Sequence, residues 1–208
     1  MPLLGSTNWI SRKILNYKKF SKIIALLIGI FLLLFGFQMV YFTRIYTHAD
    51  FRPQQDFDLV LSWNAEGAQP VLDMALSYHK PLFLSLAPWD QNPFAQRSAA
   101  DLAQVYIDTK ATTTVQNASI ASAFIRKGGY KKVLLDVDWF HLPRSLFLTR
   151  LYLLGGGVEV IPCMKTPLPN RWWSNRDFHV ELYKFWGSLG RVGLALVGFE
   201  TGPSVPSR

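Results

Sequence analysis

The feature that most constrains this chain is an uninterrupted apolar segment near its N-terminus. Residues 23–42 read IIALLIGIFLLLFGFQMVYF, with no charged residue and a single amide, Gln38. At 1.5 Å rise per residue, a helix of this length is about 30 Å long, which matches the hydrocarbon core of a bilayer. The segment also lacks the polar face that a helix packed on a soluble domain shows. It therefore predicts a single transmembrane helix over residues 23–42.

A cleavable signal peptide is the main alternative for this segment. Its apolar region is usually shorter, about 7–15 residues, and ends in a small-x-small cleavage site. The residues that follow the segment here offer no such site, and Tyr41, Phe42 and Tyr46 are typical of an aromatic belt at the membrane interface. We therefore expect an uncleaved anchor.

The charge distribution predicts the orientation of this anchor. The formal net charge is +8, and five basic residues with no acidic residue precede the apolar segment: Arg12, Lys13, Lys18, Lys19 and Lys22. The positive-inside rule then places residues 1–22 in the cytoplasm and everything after the span outside, which is the periplasm if the host has two membranes. The rest of the chain carries a net charge of +3, which does not indicate a nucleic-acid partner. The expected location is the bacterial inner membrane.

The rest of the chain predicts an α/β domain. We expect a polar linker over residues 43–56, a domain over 57–199 and a tail over 200–208. Continuous apolar runs that alternate with helical patterns are typical of a parallel sheet with helices on both faces, a Rossmann-like three-layer architecture. The lone Cys163 excludes an internal disulfide. The predicted strands are Asp58–Ser62, Pro81–Leu86, Val133–Leu135 and Val158–Ile161, and the predicted helices are Ala68–Tyr78, Ala99–Tyr106, Val115–Ile125, Leu142–Leu154 and Phe178–Phe185.

The predicted strand ends indicate where a ligand binds, because ligands of parallel sheets bind at the carboxyl ends of the strands. Ser62 (in Ser62-Trp63-Asn64) and Ser85 end the first two strands. Thr114 and Asn117 belong to a threonine-rich helix start, whose free N–H groups and dipole favour an anion. Plain capping of the helix is the alternative interpretation.

A second group of candidate residues follows the third predicted strand. His141 and Arg144 are three positions apart at a helix start, so both can lie on one face and hold a phosphate or a carboxylate. His141 is also a candidate general acid or base, and Asp138, with Asp136, a candidate base. If the domain is an enzyme, Asp136 and Asp138 are also candidates for binding a divalent metal. Apart from this alternative, the sequence predicts no metal site and leaves the cofactor unknown. A surface arginine beside a half-buried histidine is the alternative.

In this order, these residues resemble the YdcF-like family, which includes the SanA and ElyC envelope proteins. The similarity covers about residues 57–198. Thr114 and Asn117 match the family's helix start, His141 and Arg144 match its His-x-x-Arg, and Glu181 falls where the family often has a glutamate in its last helix. The chain is identified as a divergent member, since serine, tryptophan, leucine and alanine stand where the family has glycine-rich turns after its first two strands.

The resemblance implies a role in the cell envelope, in peptidoglycan assembly or lipid-carrier metabolism. We therefore expect a membrane-anchored periplasmic protein that binds an anionic envelope precursor, lipid-linked or nucleotide-like, with envelope-assembly proteins as partners. S-adenosylmethionine binding is associated with one soluble type of the family. Two alternatives stay open: a hydrolase or transferase that acts on a phosphorylated lipid or sugar, and a degenerate interaction module, which the missing glycines favour.

Overall fold

A computed structural model describes residues 7–49, 56–63 and 67–197. The chain divides into two compact units, residues 1–43 and residues 44–208. Asn64, residues 50–55 of the predicted linker, and the predicted tail lie outside the described residues.

The first unit is formed by a long apolar helix, α1 (Thr7–His48), which continues to the first residues of the second unit. Its stretch Phe20–His48 is long and apolar enough to cross a membrane, and large apolar side chains such as Leu33 and Phe37 are exposed. The predicted span 23–42 lies inside this stretch. The prediction of one N-terminal apolar helix is therefore confirmed for the described residues. A signal sequence would have a similar length and composition.

The second unit contains a sheet of five parallel strands with helices between them. Its elements are β1 (Leu59–Trp63), α2 (Ala68–Ser77), β2 (Leu82–Ser85), β3 (Val105–Asp108), α3 (Thr114–Gly128), β4 (Lys132–Val137), α4 (Leu142–Tyr152), β5 (Glu159–Met164), a 3-10 turn at Trp172–Ser174 and α5 (Arg176–Leu196). The strand order is β3-β2-β1-β4-β5. The chain therefore places β2 and β3 on one side of β1, and then β4 and β5 on its other side. The predicted α/β class with a parallel sheet is therefore confirmed, and its switch point lies between β1 and β4.

The two faces of the sheet pack against different helices. On one face, Val60, Leu84 and Leu134 share a buried core with Val71 and Leu72 of α2. On the other face, Phe83 of β2 packs on Phe124 of α3, with ring centroids 4.8 Å apart. Because side chains alternate along a strand, residues next to each other at the carboxyl ends reach opposite faces.

One predicted element is wrong. Residues 99–106 form turns up to position 104 and then the edge strand β3, instead of a helix. Tyr106 and Ile107 of β3 are exposed because only one neighbour, β2, covers this strand. Apolar residues at positions 99, 102, 103 and 106 have helical spacing, whereas the apolar run Val105–Ile107 fits a strand, and so the pattern was ambiguous.

Two glycines give a matched test of backbone conformation. Gly129 ends α3 with φ 70°, in the left-handed region, whereas Gly190 is exposed in α5 and has open space where a side chain would stand. We expect Gly129→Ala to lower the free energy of unfolding by about 1 kcal/mol. Gly190→Ala is expected to raise it by about 0.5–1 kcal/mol. Thermal melting of both variants measures these two changes. If both substitutions changed the stability in the same direction, the left-handed conformation of Gly129 would be contradicted.

Candidate functional site

A cleft of about 440 Å³ opens at the carboxyl end of the sheet, on the face covered by α3 and α4. Its walls come from the loop before α3, the start of α4 and one side of α5. The lining residues include Ser85, Thr112, Thr113, Thr114, Asn117, His141, Arg144, Tyr183, Lys184, Ser188 and Arg191. None of the described residues that line this cleft is acidic.

The start of α3 forms one wall and is capped from within. Thr113 is the N-cap residue, and its hydroxyl oxygen accepts a hydrogen bond from the Gln116 backbone N–H at 3.3 Å. The Gln116 side-chain oxygen in turn accepts from the backbone N–H of Thr112, the residue before the N-cap, at 2.8 Å, which ties the preceding loop to the first turn. The first turn of a helix leaves further N–H groups without a partner inside the helix, and the positive end of the helix dipole adds to their pull on an anion.

A polar network fixes this wall to the sheet. Ser85 Oγ lies 3.1 Å from Asp108 Oδ2 and 3.2 Å from Asn117 Oδ1. Asp108 also accepts hydrogen bonds of 3.3 Å from the backbone N–H groups of Lys110 and Ala111, which shape the loop before α3. The sequence interpretation missed Asp108 because it assigned the preceding residues to a helix. The signal available was the apolar run Val105–Ile107 directly before it.

A buried charged cluster lies behind two lining residues of the cleft, His141 and Arg144. Arg144 donates to Glu181 in a bidentate manner, with Nε 2.6 Å from Oε2 and a terminal nitrogen 3.1 Å from Oε1. His141 Nδ1 also lies 3.1 Å from Glu181 Oε1. Glu181 is 1% exposed, so both partners compensate a carboxylate that water does not reach.

These contacts decide the protonation state of Glu181. Burial acts to raise the pKa of this carboxyl, but the hydrogen bonds from His141 and Arg144 and the charge of Arg144 outweigh it and lower the pKa to about 2. Glu181 is therefore ionised at neutral pH. A carboxylate at Nδ1 of a neutral histidine keeps the proton on that nitrogen, which leaves Nε2 as a hydrogen-bond acceptor and base.

Two cations at the cleft were not predicted from the sequence. Lys184 and Arg191 line the cleft from α5, and Lys184 Nζ lies 3.5 Å from Glu181 Oε1. The signal available was spacing, because positions 181, 184, 188 and 191 fall on one side of a helix. Arg144 is buried against Glu181, whereas the side chains of Lys184 and Arg191 are exposed, so Lys184 and Arg191 are the cations best placed to meet an anion.

The structure brings five of the predicted site residues to this cleft, namely Ser85, Thr114, Asn117, His141 and Arg144. Ser62 is completely buried, beside Asp136 in the register of β1 and β4. Asp138 lies apart from the cleft, in a cavity that also involves Asp136. The proposed roles of all seven residues remain predictions.

That second cavity lies on the α2 face of the sheet and has a volume of about 550 Å³. Asp136 and Asp138 line it together with Cys163 and Lys165. Burial raises the pKa of Asp136 to about 6, and Lys165 and Cys163 only partly oppose this shift. Across the described part of the chain, no group of three or more His, Cys, Asp or Glu side chains can hold a metal ion.

Comparison with protein-family models, with curated proteins and with solved structures finds no match to this chain. Membership of a family therefore remains an expectation, which rests on the residues quoted in the sequence analysis. The fold and the cleft stand on the described residues alone.

Proposed function

We propose that this chain is a membrane-anchored envelope protein whose α/β domain binds an anionic, pyrophosphate-bearing precursor in the cleft. The observation that carries this proposal is the charge of the cleft. Lys184 and Arg191 stand on α5, the start of α3 forms another wall, and no acidic residue is among the described lining residues. Phosphate groups suit cations and helix starts of this kind.

The apolar helix supports the membrane part of the proposal. It is long enough to cross a bilayer, and the five basic residues before position 23 favour a cytoplasmic N-terminus. The α/β domain then lies in the periplasm, next to lipid-linked precursors. The resemblance to the YdcF-like family supports the same compartment and an envelope role.

An enzyme is the second candidate, and one contact favours it. A buried glutamate at His141 Nδ1 is the arrangement that prepares a histidine for general-base catalysis. The candidate reaction is hydrolysis or transfer of a phosphorylated lipid or sugar.

The full chain in detergent micelles provides the test of the binding proposal. Inorganic pyrophosphate and farnesyl pyrophosphate are added separately, with farnesol and S-adenosylmethionine as comparisons, and melting is followed by tryptophan fluorescence. A ligand at 100 times its dissociation constant is expected to stabilise the domain by about 2.7 kcal/mol. Farnesol is expected to leave the melting temperature unchanged, because it lacks the anion.

Substitutions locate the bound anion. Arg191→Gln and Lys184→Gln are each expected to raise the pyrophosphate Kd about tenfold, the effect of losing a charge-assisted hydrogen bond. Lys127→Gln is the matched control, because Lys127 is exposed and does not line the cleft. Equal affinity in all four proteins would contradict the site. No stabilisation by either phosphate compound would favour the interaction-module alternative.

A further inference from the structure

A small cavity adjoins the cleft, and two of its lining residues have a buried polar atom without a hydrogen-bond partner among the described residues. Its volume is about 30 Å³, and its lining residues are Trp63, Thr114, Asn117, Val137, His141 and Ser145. Trp63 Nε1 and Ser145 Oγ are both buried, and neither has a hydrogen-bond partner among the described residues. Trp63 is 4% exposed and Ser145 is completely buried. Buried polar atoms of this kind ordinarily have a partner, and the volume suits one water molecule.

The chemistry of the lining fits a water molecule. The indole N–H of Trp63 can only donate, while the Ser145 hydroxyl can donate or accept. His141 Nδ1 lies 3.1 Å from Glu181 Oε1, so in the neutral form of His141 the proton stays on Nδ1 and Nε2 accepts. A water molecule can accept from the indole and donate to the imidazole at the same time.

We propose that this cavity holds the water molecule that hydrolyses the phosphate ester or phosphoanhydride bound in the cleft. The inference rests on the proposed function, because it needs an anionic phosphate ligand in the cleft. Thr114, Asn117 and His141 line both spaces, so the water and the ligand are neighbours.

In the proposed step, the water oxygen forms a bond to phosphorus. Its proton passes to Nε2 of His141, and the ionised Glu181 stabilises the resulting imidazolium. The bond between phosphorus and the leaving oxygen breaks, and the electron pair leaves with that oxygen. Lys184, Arg191 and the start of α3 are the groups that can neutralise the phosphoryl oxygens.

The experiment uses the full chain in detergent with farnesyl pyrophosphate as substrate in ¹⁸O-labelled water. The wild type is expected to release phosphate that carries one ¹⁸O per hydrolysis. Trp63→Phe keeps an aromatic ring but removes the N–H, and Ser145→Ala removes the hydroxyl. Each variant is expected to lower kcat at least tenfold while KM and Kd stay within about twofold. His141→Gln is expected to lower kcat by about 10²-fold or more.

Ser122→Ala is the matched control. Ser122 is buried and its hydroxyl also has no partner among the described residues, but it lies on α3 away from the cavity. This variant is expected to hydrolyse at the wild-type rate, which separates the loss of a buried hydroxyl from the loss of the water site. If Trp63→Phe fails to fold, as judged by circular dichroism, Ser145→Ala still provides the test.

The outcomes distinguish this inference from the proposed function. A wild type that is stabilised by farnesyl pyrophosphate but releases no phosphate overturns the inference and leaves the binding proposal intact. A wild type that is neither stabilised nor active overturns both. Wild-type turnover in Trp63→Phe and Ser145→Ala, or an equal loss of binding and turnover, overturns the role of the cavity.

Discussion

Replacing Glu181 by alanine is expected to lower the free energy of unfolding by about 3–5 kcal/mol, which is the usual cost of removing one partner of a buried ion pair. Arg144 donates two hydrogen bonds to this carboxylate, and its side chain is only 8% exposed. Without Glu181 the guanidinium stays buried with no opposite charge. Chemical denaturation of the full chain in detergent, followed by tryptophan fluorescence, measures the loss.

Two further variants control this prediction. Glu159→Ala removes an exposed glutamate at the start of β5 and is expected to change stability by less than about 0.5 kcal/mol. The double variant Arg144→Met/Glu181→Leu is expected to recover most of the loss, because apolar side chains can replace a buried pair. A single variant Glu181→Ala as stable as the wild type would refute the assignment of a buried pair.

The pH dependence of stability is expected to have two opposing parts. Burial raises the pKa of Asp136 to about 6, from an ordinary value of 3.8, so Asp136 binds a proton more readily in the folded state. Its contribution is complete below about pH 4 and is lost as the pH rises through 6. Hydrogen bonds lower the pKa of Glu181 to about 2, against the opposing effect of burial, so its contribution is complete above about pH 4.5 and is lost as the pH falls toward 2.

Each of the two pKa shifts corresponds to a contribution of about 3 kcal/mol to the free energy of unfolding, at 1.36 kcal/mol per pKa unit. The contributions of Asp136 and Glu181, taken together, are therefore expected to be largest near pH 4–5. Melting curves between pH 3 and pH 8 measure this profile. Asp136→Asn is expected to abolish the change between pH 4 and pH 6, and Asp177→Asn controls for the loss of a carboxyl on an exposed residue. A profile that is flat between pH 4 and pH 7 in the wild type would count against the raised pKa of Asp136.

The sheet was predictable from the sequence because four strands are continuous apolar runs between turn formers. Such strands are buried on both faces, and the pattern survives without any knowledge of tertiary contacts. The strand β3 was not predicted, because its short apolar run overlaps a segment, residues 99–106, whose apolar positions also fit a helix. Because β3 was not predicted, Asp108 at its end was not predicted as a site residue either. Asp108 anchors the loop before α3.

The grouping of Ser85, Thr114, Asn117, His141 and Arg144 followed from topology, since strand ends and helix starts meet at one edge of a parallel sheet. The pairing of Arg144 with Glu181 did not follow from the topology. Glu181 is 37 positions away, and only packing of α5 brings the two together. The separation of Asp138 from this group depends on which face of the sheet each residue reaches, and spacing alone does not say which helix covers that face.

The helix α5 carries Glu181, Lys184 and Arg191 on one continuous backbone, while the α3 start stands on another element. A bound anion would join the two helices, so local opening of α5 would require the ligand to leave first. The rate of amide hydrogen exchange along Arg176–Leu196 should therefore fall with the fraction of protein that has no ligand bound. The backbone of this helix would then report the affinity of any anionic ligand, whether or not that ligand is chemically changed.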